Sequence, residues 1–197
     1  MSLKRAVDIL VSATSLVLLT PVFAVLALAI WFDSGLPVFY TQRRVGRGFE
    51  TFSIRKFRTM RNNISGPPIT AKGDRRVTGV GKFLRTTKLD ELPQLWNILR
   101  GDMSLVGPRP ELPEYVELFR ERYEKILTVP PGITDLASIQ FRDEEAVLGR
   151  SAEPLREYVA RVLPAKMDLA DEYLLKRSLR FDISILLRTF LATLRVS

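Results

Sequence analysis

From Ile9 to Phe32 the chain carries no charged residue; Lys4, Arg5 and Asp8 precede this run and Asp33 closes it. Beyond it the period shortens. Val38 to Arg43 reads as a strand, Val45 to Gly48 supply turn residues, and Glu50 to Arg55 alternates polar with apolar side chains as a second strand would. Asn62 to Arg76 is polar and rich in Gly and Pro, which predicts a mobile loop. Val77 to Thr86 is a short basic connection, helical in part from Gly79. Leu92, Leu95, Trp96 and Leu99 then recur at helical spacing. Pro93 fits only the first turn of that helix, so its start falls at Asp90 as N-cap, and Gly101 stops it.

In the second half, Leu112, Tyr115, Val116, Phe119 and Tyr123 give one amphipathic helix over Glu111 to Leu127, ended by Pro130, Pro131 and Gly132. Ile133 to Arg142 is expected as a strand-like loop, and Asp143, Glu144 and Glu145 as solvated loop charge. Leu155 to Leu163 and Lys166 to Arg177 read as two helical pieces broken at Pro164. The last segment, Leu179 to Val196, sets Phe181, Ile183, Ile185, Leu186, Leu187, Phe190, Leu191 and Leu194 among Arg180, Arg188 and Arg195. That is the pattern of a basic amphipathic helix lying in a membrane interface, or of a plain packing helix. The expected fold is mainly α with a small β-hairpin (α+β), divided into a membrane element over 1–34 and a catalytic domain over 35–197. No internal repeat is visible.

Three readings compete for the apolar run, which exceeds the about 20 residues needed to cross a bilayer. It is too long for the apolar core of a cleaved signal peptide, and no clear cleavage site follows. A simple spanning helix is the reading from hydropathy alone. Two features favour a re-entrant helix that enters and leaves by one face. Thr20 and Pro21 lie near the middle of the run, where proline breaks the helix and the threonine hydroxyl can bond back to a carbonyl one turn earlier. Basic residues also flank both ends: Lys4 and Arg5 before, and Arg43, Arg44, Arg47, Arg55, Lys56 and Arg58 after, which puts both flanks in the cytoplasm.

Composition narrows the chemistry. With 30 Lys+Arg against 22 Asp+Glu the 197-residue chain carries +8 and suits an anionic partner: nucleic acid, a phosphorylated substrate or an anionic membrane face. It has no Cys and no His. Disulfides, thiolate nucleophiles and imidazole bases are therefore excluded, and a metal site would be carboxylate-based, which favours Mg²⁺ or Mn²⁺ over Zn²⁺. Read alone, Asp90 and Glu91 form an acidic cap on a helix. The same helix start also attracts anions, with Arg85 shortly before it and Arg109 in a rigid Gly-Pro-Arg-Pro turn after it.

Several segments together resemble the bacterial sugar transferase family of monotopic phosphoglycosyl transferases. They are Lys56 to Met60 (KFRTM), Leu89 to Leu95 (LDELPQL), Asn97 to Leu99, Gly101 to Ser104, Gly107 to Pro110 (GPRP), Pro131 to Thr134, and Tyr173 with Arg177, Ser178 and Asp182. They extend over nearly the whole chain, in the family's short form. The resemblance implies a monotopic protein on the cytoplasmic face of the bacterial inner membrane, with interfacial helices and a re-entrant helix broken here at Thr20–Pro21, where Ser-Pro is usual. It implies transfer of a sugar-1-phosphate from a nucleotide sugar, usually a UDP-sugar, to polyprenyl phosphate such as undecaprenyl phosphate, with Mg²⁺ as cofactor. Asp90 would be the nucleophile, forming an aspartyl-phosphosugar, and Glu91 with Asp90 would hold the metal. Lys56, Arg58, Arg85, Arg109 and Arg142 would lie near the phosphates, and Asp182 near the site in an unassigned role. Asp135 stands where Gly is frequent, and Gln140, Phe141 and Arg142 replace an Asn-Gly-Arg type run. The competing reading is a membrane-anchored basic protein that binds anionic lipid or nucleic acid; the apolar N-terminus argues against nucleic acid. A homodimer is left open.

Overall fold

The computed structural model describes residues 2–61, 64, 66, 69–71 and 73–194. Two helices open the chain, α1 (Leu3–Leu18) and α2 (Thr20–Ser34). They meet at Leu19 with a bend of 61°. Pro21 sits in the first turn of α2, where its missing N–H is not needed, and the Thr20 hydroxyl donates to the Leu16 carbonyl at 2.9 Å. The back-bond expected from the sequence therefore forms, and it occupies a carbonyl that the break would otherwise strand. No single helix among the described residues is long and apolar enough to cross a membrane; α1 and α2 together have the length and composition.

The hairpin follows as β1 (Phe39–Val45) and β2 (Thr51–Phe57), antiparallel, with Phe39 opposite Phe57 and Val45 opposite Thr51. The expected loop lies partly outside the described residues: Asn62, Asn63, Ser65, Pro67, Pro68 and Lys72. Its end is fixed by a bridge between Met60 and Val77. Next comes α3 (Gly79–Thr87), whose N-cap Thr78 accepts from the Gly81 amide. Gly81 is required there, because a Cβ would stand 2.1 Å from the Thr59 carbonyl oxygen.

The Asp90 helix starts later than the sequence suggests. Leu89–Glu91 is a 3₁₀ turn entered from Lys88 in the left-handed region (φ 59), and α4 (Gln94–Arg100) begins after Pro93. The buried face is also rotated. Leu95 and Ile98 are buried with Gln94 and Asn97, while Trp96 is exposed and receives the Arg55 guanidinium over its ring. Asn97 explains the turn. Its side chain accepts from the Arg55 amide (3.1 Å) and donates to the Ser53 carbonyl (2.9 Å) and Asp102 (3.1 Å). It thereby fastens α4 to β2 and to the turn after Gly101.

A parallel strand pair is missed by pattern alone. β3 (Ser104–Val106) pairs with the later β4 (Gly132–Thr134), three residues each, too short for alternation to show. Gly107 and Gly132 cross so closely that a Cβ on Gly132 would meet the Gly107 nitrogen at 2.1 Å. Between the strands, the expected single helix is two, α5 (Pro113–Leu118) and α6 (Arg120–Ile126), divided at Phe119 (φ −121°, ψ 36°). After β4 the expected loop contains α7 (Leu136–Gln140), N-capped by Asp135 through the Ser138 amide. The acidic patch opens α8 (Glu144–Leu148); Asp143 is exposed as expected, but Glu144 pairs with Lys166 and Glu145 with Arg85.

Pro164 does not break the next run. α9 (Pro154–Glu157) passes through a π-turn, Tyr158–Val162, into α10 (Leu163–Lys176). The π-turn widens the helix just before the proline, where its ring would otherwise clash with the preceding turn. α11 (Leu179–Leu194) closes the described chain with Ile183, Leu187, Phe190 and Leu191 exposed; Arg195 and Val196 lie outside the described residues.

The polar residues at the start of α1 are bonded into the rest of the molecule. Arg5 donates to the Ile98 and Leu99 carbonyls at the end of α4 (2.5 and 2.8 Å). Buried Asp8 accepts from the Ser104 hydroxyl and the Leu105 amide. Lys4 reaches the Val106 carbonyl and Asp182.

Replacing Asn97 with Leu leaves the Arg55 amide and Ser53 carbonyl without their partner. We expect it to cost about 2–4 kcal/mol, read as a lower thermal midpoint in detergent; an unchanged midpoint would remove Asn97 from its fastening role.

Candidate active site

Asp90 and Glu91 lie on the wall of the large cavity, of about 1190 Å³. It is walled by α3, the 3₁₀ turn, the segment after β3, α7, α8 and α11. The sequence builds this wall by three local devices. Lys88 turns left-handed between α3 and the 3₁₀ turn, which reverses the chain and presents two successive carboxylates. The hairpin brings Lys56 from β2. The close glycine crossing of β3 and β4 fixes the turn that carries Arg109.

Lys56 and Arg109 converge on one oxygen of Glu91. The Lys56 ammonium lies 2.8 Å and the Arg109 guanidinium 2.6 Å from Oε1. Burial opposes a charge on Glu91, but Arg109 and Lys56 together hold its pKa well below the usual carboxylate range. Glu91 in turn raises the pKa of Arg109. Burial lowers that of Lys56, offset in part by Glu91. Asp90 is treated oppositely: burial pushes its pKa up despite Lys56, and Glu91 beside it adds to the rise. Its Oδ1 is buried with no hydrogen-bond partner. Two adjacent carboxylates thus differ in kind. One is locked in a network of charges; the other is buried, unpartnered on one oxygen and at the cavity wall.

A family model described as bacterial sugar transferase matches residues 1–196. The chain belongs to that family. Among the relatives is a UDP-glucose:undecaprenyl-phosphate glucose-1-phosphate transferase of Caulobacter vibrioides, 37% identical over 191 residues, covering 94% of this chain and 67% of the relative. The Escherichia coli protein of the same name is 39% identical over 193 residues, 95% of this chain but 39% of its own length. The exopolysaccharide production protein ExoY of Sinorhizobium fredii is 38% identical over 166 residues, 76% of this chain and 74% of the relative.

In this sugar transferase the other motif residues divide into two groups. Arg85 and Arg142 join Lys56, Asp90, Glu91 and Arg109 around the cavity. Arg85 is engaged by Glu145 at 2.7 Å, and Arg142 donates to the Ala192 carbonyl of α11. Arg58 and Asp182 are not on its wall. Arg58 is buried and donates to the Ser34 and Gly35 carbonyls (2.7 and 2.6 Å), closing the end of α2. Asp182 is buried and accepts from Lys4 (2.6 Å) and Tyr173 (2.9 Å), which anchors α1 to α10 and α11. The motif is therefore partly a set of fastenings for the membrane-like element.

Further residues at or beside the cavity have parts that the sequence did not assign to them. Asp135, noted only as a departure, accepts from the Arg109 amide (3.1 Å) while capping α7, and so positions that arginine. Glu145 was expected only as solvated loop charge and Lys166 carried no signal, since their partners Arg85 and Glu144 are distant in sequence. Lys88, two residues before Asp90, could have been found from its place beside the motif.

Among the described residues no group of three or more acidic side chains could hold a metal ion alone. The pair Asp90 and Glu91 nevertheless suits Mg²⁺, which commonly takes one or two carboxylates and completes its shell with substrate phosphate oxygens and water. The unpartnered Oδ1 of Asp90 is the atom that invites it.

The opposite shifts give a paired prediction. A carboxyl whose folded pKa is raised costs stability in full above that pKa, and the cost fades as pH falls through the folded and then the unfolded value. Glu91, with a lowered pKa, contributes stability at neutral pH that is lost as pH falls through its folded value. Asp90→Asn is thus expected to keep or raise the thermal midpoint at pH 7–8, with the gain shrinking toward acid, while Glu91→Gln lowers it. Melting curves across pH check this; equal losses in both variants would overturn the asymmetry.

Proposed function

We propose that this protein is a phosphoglycosyl transferase that moves a sugar-1-phosphate from a UDP-sugar to undecaprenyl phosphate, an early membrane step of glycoconjugate assembly. The observation that carries the reading is the buried, half-unpartnered Asp90 beside a charge-locked Glu91, in a chain matched over 1–196 by the sugar transferase family. Relatives whose names state this transfer align over 94% and 95% of the chain.

The Asp90 carboxylate attacks the sugar-side phosphorus of the donor. The bond from that phosphorus to the bridging oxygen breaks, UMP leaves with the oxygen, and an aspartyl-phosphosugar remains. A phosphate oxygen of the acceptor then attacks the same phosphorus, releasing Asp90 and forming the polyprenyl diphosphate sugar. A buried carboxylate is poorly solvated, so little water must be stripped before attack. Lys56 and Arg109 keep Glu91 anionic and fixed. Arg85 exchanges Glu145 for donor phosphate oxygens, to which its planar fork is suited. Glu91 and Asp90 would hold Mg²⁺, which would supply charge neutralisation for the donor phosphates.

The membrane reading belongs to the same proposal. Both ends of the bent α1–α2 pair are fastened to one domain: Lys4, Arg5 and Asp8 at the start, and Asp33, Ser34 and Gly35 at the end. A straight span would put those ends on opposite faces of a bilayer. We infer a re-entrant element on the cytoplasmic face of the inner membrane, with basic flanks on one side.

Incubated with a panel of UDP-sugars, undecaprenyl phosphate and Mg²⁺, the wild type is expected to release UMP and Asp90→Asn to lose at least about 10³-fold in rate. Because Asp90 must be ionised to attack and its pKa is raised, the rate falls on the acid side at a higher pH than for an ordinary aspartate. UMP release that persists in Asp90→Asn would sink the nucleophile assignment.

Topology has its own readout in a chain without cysteine. Single cysteines at Ser2 and Arg47 are both expected to react with an impermeant thiol reagent from the cytoplasmic side. Labelling from opposite sides would refute re-entry.

A further inference from the structure

One wall of the cavity is chemically unlike the rest. Leu186, Thr189, Phe190 and Thr193 of α11 line it at helical spacings of three, one and three residues, a single stripe along the helix. The Thr189 and Thr193 hydroxyls are turned back, to the Ile185 and Thr189 carbonyls, so the stripe offers methyl groups and hydrocarbon as well as oxygen. Ile133 and Ile139 continue it from β4 and α7. Arg142 sits where this wall meets the charged part, its guanidinium bonded to the Ala192 carbonyl of the same helix. Successive positions Leu187 and Leu191 point out of the molecule and are more than half exposed. α11 therefore runs from an apolar exterior to a cavity that holds phosphate-suited cations.

We propose that this α11 stripe, with Arg142 at its inner end, is the entry wall for the acceptor, a long-chain isoprenoid phosphate. The proposal rests on the transferase reading above and adds a place for the second substrate. A nucleotide sugar is polar along its length and gains little from a hydrocarbon wall. A molecule with a phosphate at one end and a long apolar chain at the other matches both halves. The exposed leucines on the outer side of α11 suit a bilayer surface from which such a chain would arrive. Arg142 then receives the acceptor phosphate, and the isoprene units next to it lie on Phe190 and Leu186. The donor keeps the region around Arg85 and Arg109.

The test compares acceptors of two lengths in detergent with purified full-length protein. Phe190→Ser is expected to raise KM for undecaprenyl phosphate about tenfold, with a smaller change for a two-isoprene phosphate and with kcat and the UDP-sugar KM far less affected. Phe190 is 61% exposed, so its loss is not expected to unfold the protein, and a melting curve verifies this. Leu175→Ser, at an 88% exposed position on α10 away from the cavity, serves as the control for loss of surface hydrocarbon. Exchange of labelled UMP into the UDP-sugar without acceptor reports the first half-reaction alone. If that exchange is present but Phe190→Ser shifts both acceptors equally, or neither, the entry wall is refuted and the transferase reading stands. If the wild type shows no Asp90-dependent exchange with any donor of the panel, both fall together.

Discussion

Glu91 can be buried as an anion only because two cations reach it from separate parts of the chain. Lys56 comes from the second hairpin strand and Arg109 from the turn after β3, and both meet the same carboxylate oxygen. Loss of either would leave a buried charge short of its partner, which is far more costly than the loss of a surface pair. The requirement propagates outward. The hairpin must hold its register, Asn97 must bind β2 to α4, and Gly107 and Gly132 must stay small enough for the strands to cross. The 3₁₀ turn that carries Asp90 is thereby held from both sides, and Asp90 takes the conformation that Glu91 leaves to it.

That arrangement runs against stability around Asp90. Asp90 is buried with an oxygen that has no partner, and Lys88 before it is a non-glycine residue in the left-handed region. Gln94, on the next turn, also carries a buried amide nitrogen without a partner. Such unfavourable features persist where the surroundings over-determine them, and they gather at sites that must meet something from outside. Here the surrounding order is supplied by the Glu91 network and by the α4 fastening.

The sequence revealed those parts of the fold that rest on local or repeating chemistry. The hairpin showed through alternation, and the helix break through Thr20 and Pro21, whose back-bond needs only one turn of helix. α11 showed through amphipathic spacing, and α3 only as a basic connection helical in part from Gly79. What stayed hidden depends on contacts between distant residues. β3 and β4 are three residues each and exist because each supplies the other's partners. Pro164 looked like a stop because the π-turn ahead of it is not encoded by any local signal. Within the site, the resemblance brought out Asp90, Glu91, Lys56, Arg85, Arg109 and Arg142, all at the cavity. It also gathered Arg58 and Asp182, which lie off the cavity wall and bond to the end of α2 and the start of α1. Asp135 made the opposite case: a departure from the family pattern that turns out to hold the Arg109 backbone.

The fastening of α1 has a mechanical meaning. Arg5 closes the carbonyl end of α4, and α4 follows directly on the turn that bears Asp90. With Asp8 on β3 and Lys4 on α11, the first helix and Asp90 are coupled through a few short polar links rather than a hinge. On the proposed topology, the depth and tilt of the bent helix in the lipid then set the height of Asp90 above the membrane surface. On that proposal bilayer thickness would become a variable of the reaction, because the helix would act as a gauge that holds Asp90 at one level, where a phosphate anchored by its own hydrocarbon chain is confined.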